Sequence, residues 1–183
     1  PKDKPFRDPR SAAARDMRRA REQSKHQMFR EVLQRALRAG LRAGYLLADA
    51  WFGCKENIAC CLENELVAIF QMKRGLLTYQ YQGRPHTAHQ LYARVARRMR
   101  PANRRARFKT ASLVVSLNLA TEQSHPPRWV DVRLVFSAPV RARSSDTWVV
   151  FLCTNLTLTD TKILEVYSLR WSIEVYFKEI KQH

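Results

Sequence analysis

Four residues near the end of the chain would share one side of any helix that carries them. Tyr167, Arg170, Glu174 and Lys181 sit at offsets 0, 3, 7 and 14. At about 100° per residue they fall near 0°, 300°, 340° and 320°, a stripe roughly 60° wide with Lys178 on its border near 20°. With a rise of about 1.5 Å per residue, Tyr167 to Lys181 covers about 21 Å, long enough to follow several phosphates. A carboxylate flanked by cations and a phenol suits phosphodiester chemistry. The carboxylate can hold a divalent metal while Arg and Lys grip the strand being cut. Leu169, Ile173, Tyr176, Phe177 and Ile180 occupy the adjacent arc from about 180° to 280°, which predicts that this arc is buried and the stripe presented. A solvated helix with Arg–Glu and Glu–Lys pairs would produce the same stripe.

A second carboxylate, Asp49, ends the apolar run Tyr45–Leu46–Leu47–Ala48. Unbroken runs of this kind predict a strand buried on both faces, and open α/β sheets place ligands and catalytic groups at such strand ends. Taken alone, Asp49 reads more readily as a strand-end turn or a cap for the helix that follows than as a catalytic group. Its pairing with Glu174 is what points to a site.

The elements that must position these residues can be read in outline. Residues 1–26 form a basic arm or charged helix, and a better helix spans about Gln27–Ala39, stopped by Gly40. After the strand at Tyr45–Ala48, a helix over Lys55–Asn64 and a second apolar run, Leu66–Phe70, complete a βαβ-like unit. Residues 73–158 change character. They hold a helix candidate at His86–Arg100 and a half-buried antiparallel strand at Val130–Phe136, with Leu113–Leu119 and Trp148–Cys153 as its neighbours. Pro126–Pro127 and Ser144–Asp146 mark turns. Thr159–Asp160–Thr161 caps the final helix, which is predicted to run past Lys181. The expected divisions are therefore 1–26, 27–72, 73–158 and 159–183.

Charge narrows the partner. The net charge is +17, from 33 Lys and Arg against 16 Asp and Glu. Residues 1–43 hold 13 basic and 5 acidic residues, and residues 73–109 hold 11 basic and none acidic. Single-sign blocks attract a polyanion, and phosphate contacts supply most non-specific nucleic-acid affinity. Cys54, Cys60, Cys61 and Cys153 fit no zinc spacing and read as small buried thiols in a reduced cytoplasm. No apolar run approaches the ~20 residues of a membrane span.

The string Tyr167-Ser-Leu-Arg170-Trp-Ser-Ile-Glu174-Val-Tyr-Phe-Lys178-Glu-Ile-Lys181 resembles the Y-x2-R-x3-E-x6-K signature of bacterial insertion-sequence DDE transposases, with all four positions filled. Leu46-Leu-Ala-Asp49-Ala-Trp-Phe52 resembles the strand bearing that family's second catalytic aspartate. The resemblance covers about residues 28–183. It implies an α/β fold: a partial RNase H-like core, a mixed sheet with flanking helices, interrupted by a β-rich insertion subdomain. It also implies that Asp49 and Glu174 are catalytic metal ligands for two Mg²⁺ ions about 3.5–4 Å apart, for which Mn²⁺ can substitute. Tyr167, Arg170, Lys181 and Lys178 would hold DNA phosphates, with Trp171, Trp51 and the 73–109 block as further contacts.

The implied partner is double-stranded DNA, at transposon ends and target, bound by a homodimer. The family's first aspartate lies on an earlier strand. Asp3, Asp8 and Asp16, the only earlier aspartates, lie in polar or Arg-rich sequence without strand pattern. The expectation is a catalytically incomplete fragment that binds DNA. The competing readings are an RNase H-like nuclease that never joins strands, a non-catalytic nucleic-acid-binding module or element remnant, and a structural basic protein.

Overall fold

The structure is a computed structural model that describes residues 10–120, 126–141 and 147–180. The chain forms two compact units, Pro1–Arg42 and Ala43–His183. In the first, α1 (Ala12–Glu22) begins after Ser11, whose hydroxyl accepts from the Ala14 N–H, and α2 (Lys25–Arg38) begins at a Ser24–Gln27 capping box. Reciprocal side-chain bonds of this kind satisfy two amides that a helix start otherwise leaves bare. Gly40 supplies the expected stop with φ +89°, a conformation in which a Cβ is strained.

The second unit is a mixed α/β layer structure, as the sequence predicts. Its strands are β1 (Tyr45–Ala48), β2 (Val67–Met72), β3 (Thr78–Tyr81), β4 (Arg84–Thr87), β5 (Arg100–Pro101), β6 (Phe108–Asn118), β7 (Trp129–Pro139) and β8 (Val149–Cys153). They form one sheet in the order β1-β2-β8-β7-β6-β3-β4, with β5 on β6. β1 and β2 are parallel, joined through α3 (Lys55–Glu63), and every other pairing is antiparallel. Strands from the expected core and from the expected insertion therefore share one hydrogen-bonded sheet.

Two expectations about burial change. β7 is half-buried only in its first part: Asp131 and Arg133 alternate with buried Val132 and Leu134, but Leu134 to Ala138 are buried without interruption. Beyond Leu134 both faces are covered, Phe136 by Tyr92 and Val135 by Ile163, Val166 and Tyr167, which overrides the alternation in its sequence. β1 is less enclosed than its apolar run predicts, with Tyr45 exposed, Leu46 and Leu47 half-buried and only Ala48 buried. It is an edge strand, so one flank is open.

The helix expected at His86–Arg100 is shorter. α4 (Ala88–Val95) starts at a Thr87–Gln90 capping box and decays into a tight turn at Ala96–Arg98. Pro101 pushes Arg100 into extended backbone, which ends the helix and starts β5. The β3–β4 hairpin escaped the sequence reading. Its turn is Gln82–Gly83, both at positive φ (52° and 73°), the geometry that matches strand twist.

One face of the sheet carries α5 (Asp160–Ile180) and the other α4, whose Tyr92 stacks on Trp148 at 4.1 Å and meets Phe136. The α5 side is a cluster of Ile69, Val135, Phe151, Cys153, Ile163, Val166 and Tyr167, with Leu47 packed against it. All four cysteines are free. Cys60, Cys61 and Cys153 are buried, and desolvation, with Cys60 adjacent, pushes the Cys61 thiol up to about 12.

Leu134→Ala should lower the unfolding free energy by about 2–5 kcal/mol, because Leu134 is fully buried in the central strand. Val114→Ala, at a position 44% exposed, should stay within about 0.5–1 kcal/mol. Urea midpoints measure both. At pH 8 iodoacetamide should alkylate Cys61 only as fast as the protein unfolds, since the thiolate is the nucleophile and the folded thiol stays protonated until pH approaches 12.

Candidate active site at one end of the sheet

The β1–β2 register sets the position of Asp49. Ala48 pairs with Phe70, so Asp49 emerges level with Gln71, about 4.8 Å away across the strands. It closes a turn, with Oδ1 accepting from the Trp51 N–H at 2.9 Å, and it is half-buried. This is the turn role its sequence allowed. Gly53 completes the turn under tight packing, since a Cβ there would lie 2.9 Å from the Gln71 carbonyl oxygen and 2.9 Å from Met72 Sδ.

The course of α5 is fixed at its start. The Thr159 hydroxyl accepts from the Lys162 N–H. Arg133 of β7 donates to the Leu156 carbonyl at 2.7 Å and to the Ser112 hydroxyl at 3.2 Å, and lies 3.8 Å from the Asp160 carboxylate. Arg133 is in register with Cys153, and Cys153 with Ile69. By Tyr167 the helix has reached Gln71, two residues nearer the Asp49 end, with the Tyr167 hydroxyl donating to Gln71 Oε1 at 3.4 Å. The helix thus crosses from β7 toward β2 while advancing on the sheet end that carries Asp49.

The orientation of α5 corrects the sequence expectation at three positions, while the side chains of Ile173, Tyr176 and Phe177 lie outside the described residues. Leu169 and Ile180 of the expected buried arc are 61% and 53% exposed, whereas Tyr167 of the expected presented stripe is 3% exposed. Ile163, Val166 and Tyr167, spaced i, i+3 and i+4, form the ridge that meets the sheet. The functional stripe is the continuation of that ridge, and beyond Tyr167 no described side chain of α5 is buried.

Arg170 lies next along the stripe. Its Nε donates to the Tyr167 hydroxyl at 3.2 Å, and its guanidinium lies 4.9 Å from the Trp171 ring centroid. Trp171 and Trp51 are each 55% exposed, and Lys73 Nζ stands 5.1 Å from the Trp51 ring centroid. This end of the sheet therefore presents a carboxylate and two cation–aromatic pairs, which suits a strand with phosphates and stacked bases.

Glu174 lies on α5 about 6 Å of helix rise beyond Arg170. Its side chain, that of Lys178 and all of Lys181 lie outside the described residues, as does the turn at Ser144–Asp146. Among the described residues, no three His, Cys, Asp or Glu side chains converge as metal ligands, and no helix is long and apolar enough to cross a membrane. Asp49 is a hard oxygen donor, the type Mg²⁺ selects, but one carboxylate is not a site.

Sequence reasoning missed Gln71, the polar link between the strand beside Asp49 and Tyr167. Its signal was a single amide in the otherwise apolar Val67–Met72.

The family model for the transposase DDE domain matches residues 8–183. No curated protein matches the chain.

Tyr167→Phe should cost about 0.5–1.5 kcal/mol, the loss of a hydroxyl with two partners, while Tyr167→Ala should cost about 3–5 kcal/mol through the cavity left against Phe151. Denaturant titration separates them. Equal, small losses would show that the ring is not packed on the sheet.

Proposed function

The chain belongs to the transposase DDE domain family, and on that premise we propose that it supplies Asp49 and Glu174 as catalytic carboxylates of a bacterial insertion-sequence transposase of the Tyr-Arg-Glu-Lys group. One observation carries the assignment. α5 delivers Tyr167 and Arg170 to Gln71, level with Asp49, although 121 positions separate Asp49 from Arg170 (170 − 49). Glu174 follows on the same helix.

The reaction is cleavage and strand transfer at transposon ends in double-stranded DNA, by a homodimer acting in the cytoplasm. Asp49 and Glu174 would hold two Mg²⁺ ions, with Mn²⁺ an effective substitute. When bound, such ions activate water or a 3′-hydroxyl and stabilise the leaving oxygen. The rest falls to the chain. The Trp51 N–H orients the Asp49 carboxylate, as an outer hydrogen bond orients a ligand. Arg170 holds a phosphate of the strand being cut, with Lys178 and Lys181 further along. Tyr167 acts through Arg170: its ring is buried and its hydroxyl accepts from the guanidinium, which restricts where that cation can go.

The test uses protein expressed from the complete gene, labelled transposon-end DNA and Mg²⁺. Asp49→Ala and Glu174→Ala should each lower the cleavage rate by at least about a hundredfold, the scale for losing one stabilising group in a phosphoryl- or acyl-transfer site. Both should leave DNA affinity within a few-fold. Arg170→Ala should weaken both binding and cleavage. Cleavage that survives both carboxylate variants refutes the assignment, and cleavage without joining of the 3′-end makes the enzyme a nuclease.

A further inference from the structure

A second basic feature lies on the same end of the sheet as Asp49, on the far side from β1. The β6–β7 ladder runs past its neighbours. Ser137 is the last β7 residue paired with β8, whereas β7 stays paired with β6 to Pro139, opposite Phe108. Just beyond, Arg104, Arg105 and Arg107 from the approach to β6 and Arg141 from the exit of β7 line a cleft of about 420 Å³, with Ala106, Pro139 and Val140. The Val140 N–H donates to the Arg107 carbonyl at 2.9 Å, and the Asn103 side chain accepts from the Arg105 N–H at 2.9 Å. Both walls are thus braced on backbone. All four arginines are exposed, and none is ion-paired among the described residues. β5 adds Arg100 opposite Thr110, next to Lys109. Exposed guanidiniums lining one cleft with no carboxylate among its described lining residues repel one another unless an anion joins them, and guanidinium geometry matches phosphate oxygens.

The register gives the distance from this cleft to the candidate active site. Four strand-to-strand steps separate β1 from β6, about 19 Å at about 4.8 Å each. Asp49 lies level with Gln71, Phe151, Val135 and Ser112, and Phe108 lies four residues further on, about 13 Å along the strand. The two positions are therefore about 20–25 Å apart on one side of the molecule. At about 3.4 Å per base pair that is six or seven base pairs of B-form DNA.

We infer that the arginine cleft binds backbone phosphates of the same duplex whose strand is presented to Asp49, six or seven base pairs from the reacting phosphate. The inference rests on the transposase reading. It adds a second, sequence-independent grip that sets the angle of the duplex across the sheet end, since phosphate contacts fix register without reading bases.

The test compares wild-type protein from the complete gene with a variant carrying Arg104→Gln, Arg105→Gln, Arg107→Gln and Arg141→Gln, and with its all-Lys counterpart. Affinity for transposon-end duplex is measured against salt, and phosphate-ethylation interference locates the phosphates that are gripped. In the Gln variant the slope of log K on log salt should fall by about 2–4, at about 0.9 for each phosphate no longer neutralised, with at least about tenfold weaker binding. Interference should vanish at phosphates six or seven base pairs from the cleavage position and persist next to it. The Lys variant, which keeps the charges, should retain most of the slope and shows that weaker binding by the Gln variant is not misfolding. An unchanged slope and interference pattern in the Gln variant overturns the cleft alone, and so does interference that disappears only beside the cleavage position. Absence of salt-dependent DNA binding by the wild type overturns the transposase reading itself.

Discussion

The candidate site depends on how α5 seats on the sheet. Ile163, Val166 and Tyr167 form a ridge against Ile69, Val135 and Phe151, and that contact fixes the rotation of the helix about its axis. A rotation by one residue, about 100°, would carry Arg170 away from Tyr167 and Gln71. Arg133 sets where the helix begins, by bonding to the Leu156 carbonyl and lying beside Asp160. The Tyr167 hydroxyl sets where it arrives, beside Gln71. Between those points the packing is apolar and tolerant of detail. The polar bonds at its ends supply the register.

Parallel pairing of β1 with β2 complements that seating. Because the two strands run the same way, the turn after Ala48 and the stretch after Met72 leave the sheet together. Asp49, Trp51, Lys73 and the approaching face of α5 therefore meet at one end. The antiparallel strands then carry the sheet sideways, and their longest ladder, β6–β7, projects past the same end with its arginines. A single edge of secondary structure thus aligns a carboxylate and two groups of cations. Such an arrangement suits an extended polyanion better than a small ligand, because a polyanion alone can bridge separations of about 20–25 Å.

Much of this was legible in the sequence, and the misses have physical causes. The apolar runs at Tyr45–Ala48 and Leu66–Phe70, the cap at Thr159 and the neighbours of β7 are local signals, and each element formed where its pattern placed it. What the sequence could not show was which residues of α5 face the sheet. Leu169 and Ile180 are more hydrophobic than Tyr167, so composition favoured burying them in its place. The ridge was decided by the first two turns, where the sheet lies beneath the helix, and the exposed apolar residues come after it. Gln71 was invisible for a related reason: its partner is 96 residues away, and nothing local marks a lone amide as a link. The β3–β4 hairpin was missed because its turn, Gln82–Gly83, lacks the usual Asn or Asp ahead of the glycine. The joining of the 73–158 strands to the β1–β2 unit is long-range pairing, which periodicity does not report.

The most direct measurement is the separation of the Asp49 and Glu174 carboxylates in an experimental structure of the protein with Mn²⁺ and transposon-end DNA. The proposed assignment predicts that the two groups face each other within about 8 Å, close enough to share an ion pair about 3.5–4 Å apart, with Arg170 on a phosphate between them. Carboxylates in separate regions of a well-ordered structure, with α5 still packed through Tyr167, would contradict the assignment of this sheet end as the active site.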